Sequence, residues 1–85
     1  MIEYTISKHC LEQINLRSIT EDEISRIIKN PDSIIKQDEE ITVYQALTND
    51  KMFLIRIFVN ILKHPNLVVT AYKTSKIDKY YENKI

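Results

Sequence analysis

The hydrophobic positions of this chain change period near residue 40, from helical spacing to alternation. Behind Ser7, a good N-cap, the apolar residues Cys10, Leu11, Ile14 and Leu16 form the stripe of a helix predicted over residues 8–16. Thr20-Glu21-Asp22-Glu23 has the form of a capping box and opens a second helix. Ile24, Ile27 and Ile28 follow at helical spacing, and Asn30-Pro31 ends the pattern because proline disfavours helical geometry in the residue before it. These two helices are expected to form a tight hairpin. From Ile41 onward three β-branched and aromatic segments read as strands: Ile41 to Thr48, Met52 to Asn60 and Leu67 to Thr74. Asn49-Asp50 tolerates left-handed backbone and is expected to close the first hairpin. The loop from Ile61 to Asn66 joins the last two strands. Ile2, Tyr4 and Ile6 alternate as a short first strand or an extended lead-in, and the tail over residues 75–85 suits a short helix carrying Ile77 and Tyr80 or Tyr81 to the core.

This pattern predicts a single α+β domain over residues 1–85, with two N-terminal helices on one face of a three- to four-stranded antiparallel meander. In the central strand Phe53, Ile55, Ile57 and Val59 form an unbroken apolar row, the natural seat for the helices. The opposite row is Met52, Leu54, Arg56, Phe58 and Asn60, so one arginine sits in the middle of the middle strand. If the polar rows of the flanking strands share its face, Thr42 and Tyr44 lie on one side of it and Thr70 and Tyr72 on the other. A slip of one residue substitutes Gln45, Ala71 and Lys73.

Composition narrows the chemistry. The chain has 85 residues and no glycine, which excludes the phosphate loops that need glycine for close backbone approach. A single cysteine allows no internal disulfide, and with two distant histidines it makes no metal site, so no metal and no cofactor is expected. No apolar run approaches the ~18 residues of a membrane span. The single cysteine and the absence of a secretory pattern in the opening Met-Ile-Glu-Tyr-Thr point to the cytoplasm. The formal net charge of zero conceals a division: residues 1–50 carry five basic and ten acidic side chains, residues 51–85 seven basic and two acidic. A basic C-terminal half can mark an anionic ligand; the plainer alternative is two solvated halves that neutralise one another.

Two groups of side chains could carry chemistry. Arg56 with Tyr44 and Tyr72 has the makings of an anion site, because a guanidinium binds two phosphate oxygens at once and phenols donate to the others. His9, Gln13 and Arg17 fall on one ridge of the first helix, where a histidine could act as general acid or base. The plainer alternatives are a surface arginine, tyrosines that cover the sheet and a structural histidine.

His9, Arg17, the Ile19-Thr20 helix start, the Pro31-Asp32 stop and the strand Val68-Val69-Thr70-Ala71-Tyr72 together carry a resemblance. The chain resembles the small bacterial family described as domain of unknown function 4258, and is similar to its short cyanobacterial-type members ending in Tyr-Lys-Thr-Ser-Lys-Ile, here residues 72–77. Gln13 stands where an arginine is common in that family. The arrangement looks like the compact fold of RelE-type and BrnT-type toxins and of ribonucleases of the colicin and barnase kind. The resemblance implies metal-independent RNA cleavage, with His9 as base or acid, Arg17 and Arg56 as phosphate clamps, and Tyr44 or Tyr72 as proton donor or stacking surface. Lys73, Lys76 and Lys79, with Thr70, would then track the RNA backbone. It also implies a cognate inhibitory protein, an antitoxin, as partner beside RNA. An exposed edge strand makes a homodimer a further expectation. The alternative in a different class is a non-catalytic module that binds RNA or protein.

Overall fold

The computed structural model describes residues 2–80. Its elements are β1 (Tyr4–Ile6), α1 (Lys8–Leu16), α2 (Glu21–Lys29), β2 (Ser33–Lys36), β3 (Ile41–Leu47), β4 (Leu54–Asn60), β5 (Asn66–Thr74) and α3 (Ile77–Tyr80). The five strands form one sheet in the order β1-β5-β4-β3-β2. Both long helices begin as the sequence predicts. The Ser7 hydroxyl accepts from the Cys10 amide at 3.0 Å. At α2 the Thr20 hydroxyl accepts from Glu23 N at 3.1 Å while the Glu23 carboxylate accepts from Thr20 N at 3.0 Å, so two orphan donors are satisfied reciprocally. Glu21, Asp22 and Glu23 in its first turn and Arg26 and Lys29 in its last complement the helix dipole.

Without glycine, the chain places other residues in left-handed backbone. Ser18 takes φ 59° directly after α1, and the Ile19 amide returns to the Ile14 carbonyl at 2.9 Å, which closes the helix with the six-to-one bond of a Schellman cap. In the β3–β4 hairpin the left-handed residue is Lys51, at φ 62°, where Asn49-Asp50 was expected to serve. Asp50 works instead through its carboxylate, which accepts from the Thr48 hydroxyl at 2.6 Å and from Met52 N at 2.9 Å. The Thr48 hydroxyl first, and then the Met52 amide, hold that carboxyl below its ordinary value.

Core packing follows the predicted apolar row from Ile55 onward, whereas Phe53, the first residue of that row, precedes β4 and is 38% exposed. Ile55, Ile57 and Val59 of β4, with Tyr44 and Ala46 of β3 and Val68 and Ala71 of β5, meet Cys10, Ile14 and Ile19 and the three isoleucines of α2, all of them buried. Full burial of each such isoleucine is worth ~2–3 kcal/mol. Burial pushes the Cys10 thiol above its ordinary value, so this cysteine behaves as a core residue and not as a nucleophile.

The sheet departs from the expected meander in two ways. It is mixed: β1 runs parallel to β5, with Tyr4 opposite Asn66 and Ile6 opposite Val68, and only the other pairings are antiparallel. It also has a fifth strand, β2, antiparallel to β3 at the far edge. Four residues following a proline-aspartate stop are too few for alternation to declare itself, and β2 becomes a strand because β3 offers it a ladder. A further irregularity lies in β5. The register shifts between Phe58 and Val59, which face Thr70 and Val68, so Val69 is the extra residue of a bulge.

The left-handed Lys51 yields a test. A side chain in that region costs ~1–2 kcal/mol relative to glycine, offset in part by glycine's greater freedom when unfolded. Lys51→Gly should therefore stabilise the chain by about 0.5–1 kcal/mol in urea unfolding, and a loss of stability would show that the Lys51 side chain makes a contact worth more than the strain.

Candidate functional site

Arg56 lies at the centre of β4, on the face turned away from α1 and α2, directly between Gln45 of β3 and Tyr72 of β5. Both neighbours hold it. Its Nε donates to Gln45 Oε1 at 2.9 Å and its Nη1 to the Tyr72 hydroxyl at 2.8 Å. Gln45 is 0% exposed and both ends of its amide are used, the second donating to the Tyr80 carbonyl at 3.1 Å. Three aromatic rings surround the guanidinium, with centroids at 5.4 Å (Phe58), 5.8 Å (Tyr72) and 4.5 Å (Tyr80). Tyr72 stacks on Phe58 at 5.9 Å and meets Tyr80 edge-on at 6.2 Å. Among the described residues the arginine bonds to neutral groups and to no carboxylate. Its direction is fixed and no described residue cancels its charge, a combination suited to an anion arriving from outside.

Tyr80 adds a second chemical feature. The Tyr72 hydroxyl beside it, then Lys79, and then Arg56 lower its phenol from the ordinary value of 10.0, since each favours the phenolate. The Lys79 ammonium lies 5.2 Å from the Tyr80 ring. Arg56, Tyr72, Tyr80 and Lys79 thus form one cluster of a fixed cation, two phenols and an exposed cation.

The other predicted site residues are placed as follows. Tyr44 is a correction: it stands opposite Ile57, on the helix-covered face, 8% exposed and within the core, so it has no part in the Arg56 cluster. Gln45 takes the position expected for Tyr44. Thr42 likewise stands opposite Val59, on the covered face. Tyr72 and Thr70 do share the side of Arg56, as expected. Arg17 points to the outer edge of β5, where its Nη1 donates to the Ala71 carbonyl at 2.8 Å. Gln13 accepts from the Thr70 hydroxyl at 2.7 Å, so the ridge of α1 is tied to the rim of the Arg56 face. His9 is exposed one turn earlier on that ridge and makes no side-chain hydrogen bond among the described residues. Lys73 stands opposite Ile55, on the covered side; its Nζ donates to the Ser18 carbonyl at 2.9 Å and lies 5.6 Å from the Phe53 ring. It therefore caps the end of α1 and is not part of an open cationic track. Lys76 and Lys79 are exposed. Among the described residues no three His, Cys, Asp or Glu side chains stand together as metal ligands.

The cluster's other members, Gln45, Phe58 and Tyr80, were not among the expected site residues. Loop length decides between Gln45 and Tyr44, because a hairpin loop with an even number of residues between β3 and β4 puts odd-numbered residues of one strand opposite even-numbered residues of the other. The observed loop, with Thr48 N bonded to Phe53 O, obeys that parity. The expected strand ends at Thr48 and Met52 enclose three residues, an odd number, and so place Tyr44 opposite Arg56.

Architecture and site together define a small α+β domain whose distinctive feature is an aromatic-caged arginine in mid-sheet. The family model for the domain of unknown function DUF4258 matches residues 6–73, and the chain belongs to that family. No curated protein and no solved structure matches it.

Two measurements test the cluster. Gln45→Leu keeps the volume but leaves the Arg56 Nε and the Tyr80 carbonyl without their partner, so it should lower stability by about 1–3 kcal/mol; an unchanged denaturation midpoint would mean that water replaces the amide. In a phenolate absorbance titration the component that Tyr80→Phe removes should ionise below 10.0, and Tyr72→Phe should return it towards 10.0. Between the lowered folded value and 10.0 the unfolded chain binds more protons. The Tyr80 contribution to stability is therefore fully present above 10.0 and is lost as the pH falls through the folded value.

Proposed function

We propose that the chain is an RNA-cleaving domain of the RelE-like toxin kind, working in the cytoplasm without a metal and held in check by a cognate inhibitory protein. The observation that carries this reading is the Arg56 guanidinium, fixed by Gln45 and Tyr72 and lying 4.5 Å from the ring of a phenol whose ionisation is favoured. Cleavage of RNA at a phosphodiester needs a base to take the proton of the 2′-hydroxyl as its oxygen attacks phosphorus. It needs a cation for the charge that develops on the phosphoryl oxygens, and an acid to protonate the departing 5′-oxygen. Arg56 supplies the cation. Tyr80, whose phenol is lowered by its neighbours, and the Tyr72 hydroxyl beside it supply the base and acid on one side of it. His9 is the alternative base, on the ridge that Gln13 ties to Thr70 at the rim of the same face. Arg17, held to the β5 edge, positions that ridge, while Lys76 and Lys79 remain available to the RNA backbone.

One observation favours the rival reading, a module that binds RNA and does not cut it. Two of the guanidinium's nitrogens already donate within the chain, and no hydrogen bond among the described residues joins His9 to the cluster.

The test is controlled expression of the wild-type chain beside His9→Ala, Arg56→Ala and Tyr80→Phe, reading growth and RNA integrity, together with binding of the purified proteins to single-stranded RNA. Wild type should arrest growth and fragment RNA, and Arg56→Ala should lose about 10²–10³-fold in cleavage, the usual effect of removing one transition-state donor. RNA left intact by all four proteins defeats the cleavage reading. Binding that survives in wild type and fails in Arg56→Ala would then identify the binding module.

A further inference from the structure

Among the described residues β1 is the outermost strand of the sheet, with β5 on one side and no strand on the other. Two hydrogen bonds show which of its groups face inward: Asn66 N donates to the Glu3 carbonyl at 3.1 Å, and Ser7 N donates to the Val68 carbonyl at 3.0 Å. Backbone groups of alternate residues point the same way from a strand. Glu3, Thr5 and Ser7 therefore turn to β5, and the N–H and C=O groups of Tyr4 and Ile6 turn outward. Among the described residues these four outward groups have no hydrogen-bond partner.

A groove of 490 Å³ adjoins them, lined by the three residues of β1, by Leu11 of α1 and by Glu21, Asp22 and Ser25 of α2. Successive side chains leave a strand on opposite faces, so a depression that touches Tyr4, Thr5 and Ile6 alike lies along the strand's edge. A neighbouring hollow of 360 Å³ shares Leu11 and Glu21 and continues past Ile14 and Ile19 between the helices. The charged side chains of both walls are acidic. Tyr4 and Ile6 pack against the core on the helix side, so the wall formed by Leu11, Glu21 and Asp22 stands over that face of the edge.

We propose that this edge binds an extended, basic segment of another protein, which adds to the sheet as a sixth strand beside β1. The segment's backbone pairs with the outward groups of Tyr4 and Ile6. On the helix side it presents an apolar side chain to Leu11 and, two positions away, a lysine or arginine to Glu21 and Asp22; the intervening side chains face the opposite way and are free to vary. Strand addition supplies affinity through the main chain, and the wall supplies selectivity through an apolar contact and charge. A segment carrying glutamate in place of the basic residue meets two like charges and is rejected. This surface is independent of the RNA reading and uses none of the residues of the Arg56 cluster.

The test is an amide NMR titration at low salt with an acetylated peptide, Thr-Val-Thr-Lys-Thr-Val-Thr, and its counterpart with glutamate in place of lysine. The lysine peptide should shift the Tyr4 and Ile6 amides saturably, and the glutamate peptide should bind more weakly. Reversing both acids, Glu21→Lys with Asp22→Lys, should weaken the lysine peptide about fivefold, as expected for two exposed charge pairs, and strengthen the glutamate peptide. Ile6→Pro removes an outward donor without touching the ladder to β5 and should abolish binding; if that variant fails to fold, the charge reversal and a peptide methylated on its backbone nitrogens carry the same question. Equal binding of the two peptides, or shifts confined to β2 or to the Arg56 face, would overturn the proposal. So would sedimentation showing that a second copy of the chain occupies this edge.

Discussion

A guanidinium in the middle of a central strand has nowhere to go but outward from the sheet, and its donors must be met where it stands. In this protein they are met by neutral groups. A buried amide takes the Nε, a phenol takes the Nη1, and three rings surround the cation. A carboxylate at the same place would have made a structural ion pair and cancelled the charge. The amide and the rings hold the group almost as firmly and leave its charge in place. The choice of Gln45, with no exposed surface, is therefore coupled to the choice of Tyr72 and Tyr80: the amide oxygen serves the arginine and the amide nitrogen anchors the last described turn of the chain. Site and fold are joined through one side chain, and the C-terminal helix is part of the site because Gln45 holds its backbone.

The absence of glycine shapes the fold around this centre. Where other chains end a helix with glycine, this one uses Ser18, whose carbonyl then receives the Lys73 ammonium. A cation at that point meets both the free carbonyl and the negative end of the helix dipole. Lys73 is thereby removed from the set of cations open to a nucleic acid, and the basic surface is narrower than the count of lysines in the C-terminal half suggests. The same trade holds for Arg17, whose guanidinium protects the edge of β5 beyond the end of β1. An edge strand needs such a cover, and an arginine spent on it has one donor fewer for a ligand.

What the sequence disclosed and what it hid follow from the range of the interactions concerned. The Ser7 cap, the Thr20–Glu23 box and the apolar row of β4 act within a few residues, and each appears in the structure where the pattern puts it. The parallel pairing of β1 with β5 joins Tyr4 to Asn66 across most of the chain, and no local pattern reports it. The exchange of Tyr44 for Gln45 is a different kind of failure. Both residues were plausible neighbours of Arg56, and polarity favoured the wrong one, since tyrosine and threonine look like the exposed row of a strand. The parity of the hairpin decides the matter: the expected strand ends at Thr48 and Met52 enclose three residues and put Tyr44 opposite Arg56, whereas the observed four-residue loop puts Gln45 there. On the β5 side the register near Tyr72 agreed with expectation because the bulge at Val69 lies beyond it.

Charge organises the remaining surface. The acids of the N-terminal half that line the groove, Glu21 and Asp22, sit where α2 begins, while the exposed cations Lys76 and Lys79 follow β5 at the other end of the chain. With a formal net charge of zero, the molecule as a whole does not attract a polyanion over long range; a local field at the Arg56 cluster and the exposed Lys76 and Lys79 can do so, and it decays within roughly 10 Å at 0.1 M salt. On the proposed RNA reading, the ligand must make close contact with the caged arginine and its rings, where stacking and directed hydrogen bonds count for more than steering. A molecule with phosphates and planar bases meets both requirements at once, whereas a purely electrostatic polyanion meets only one.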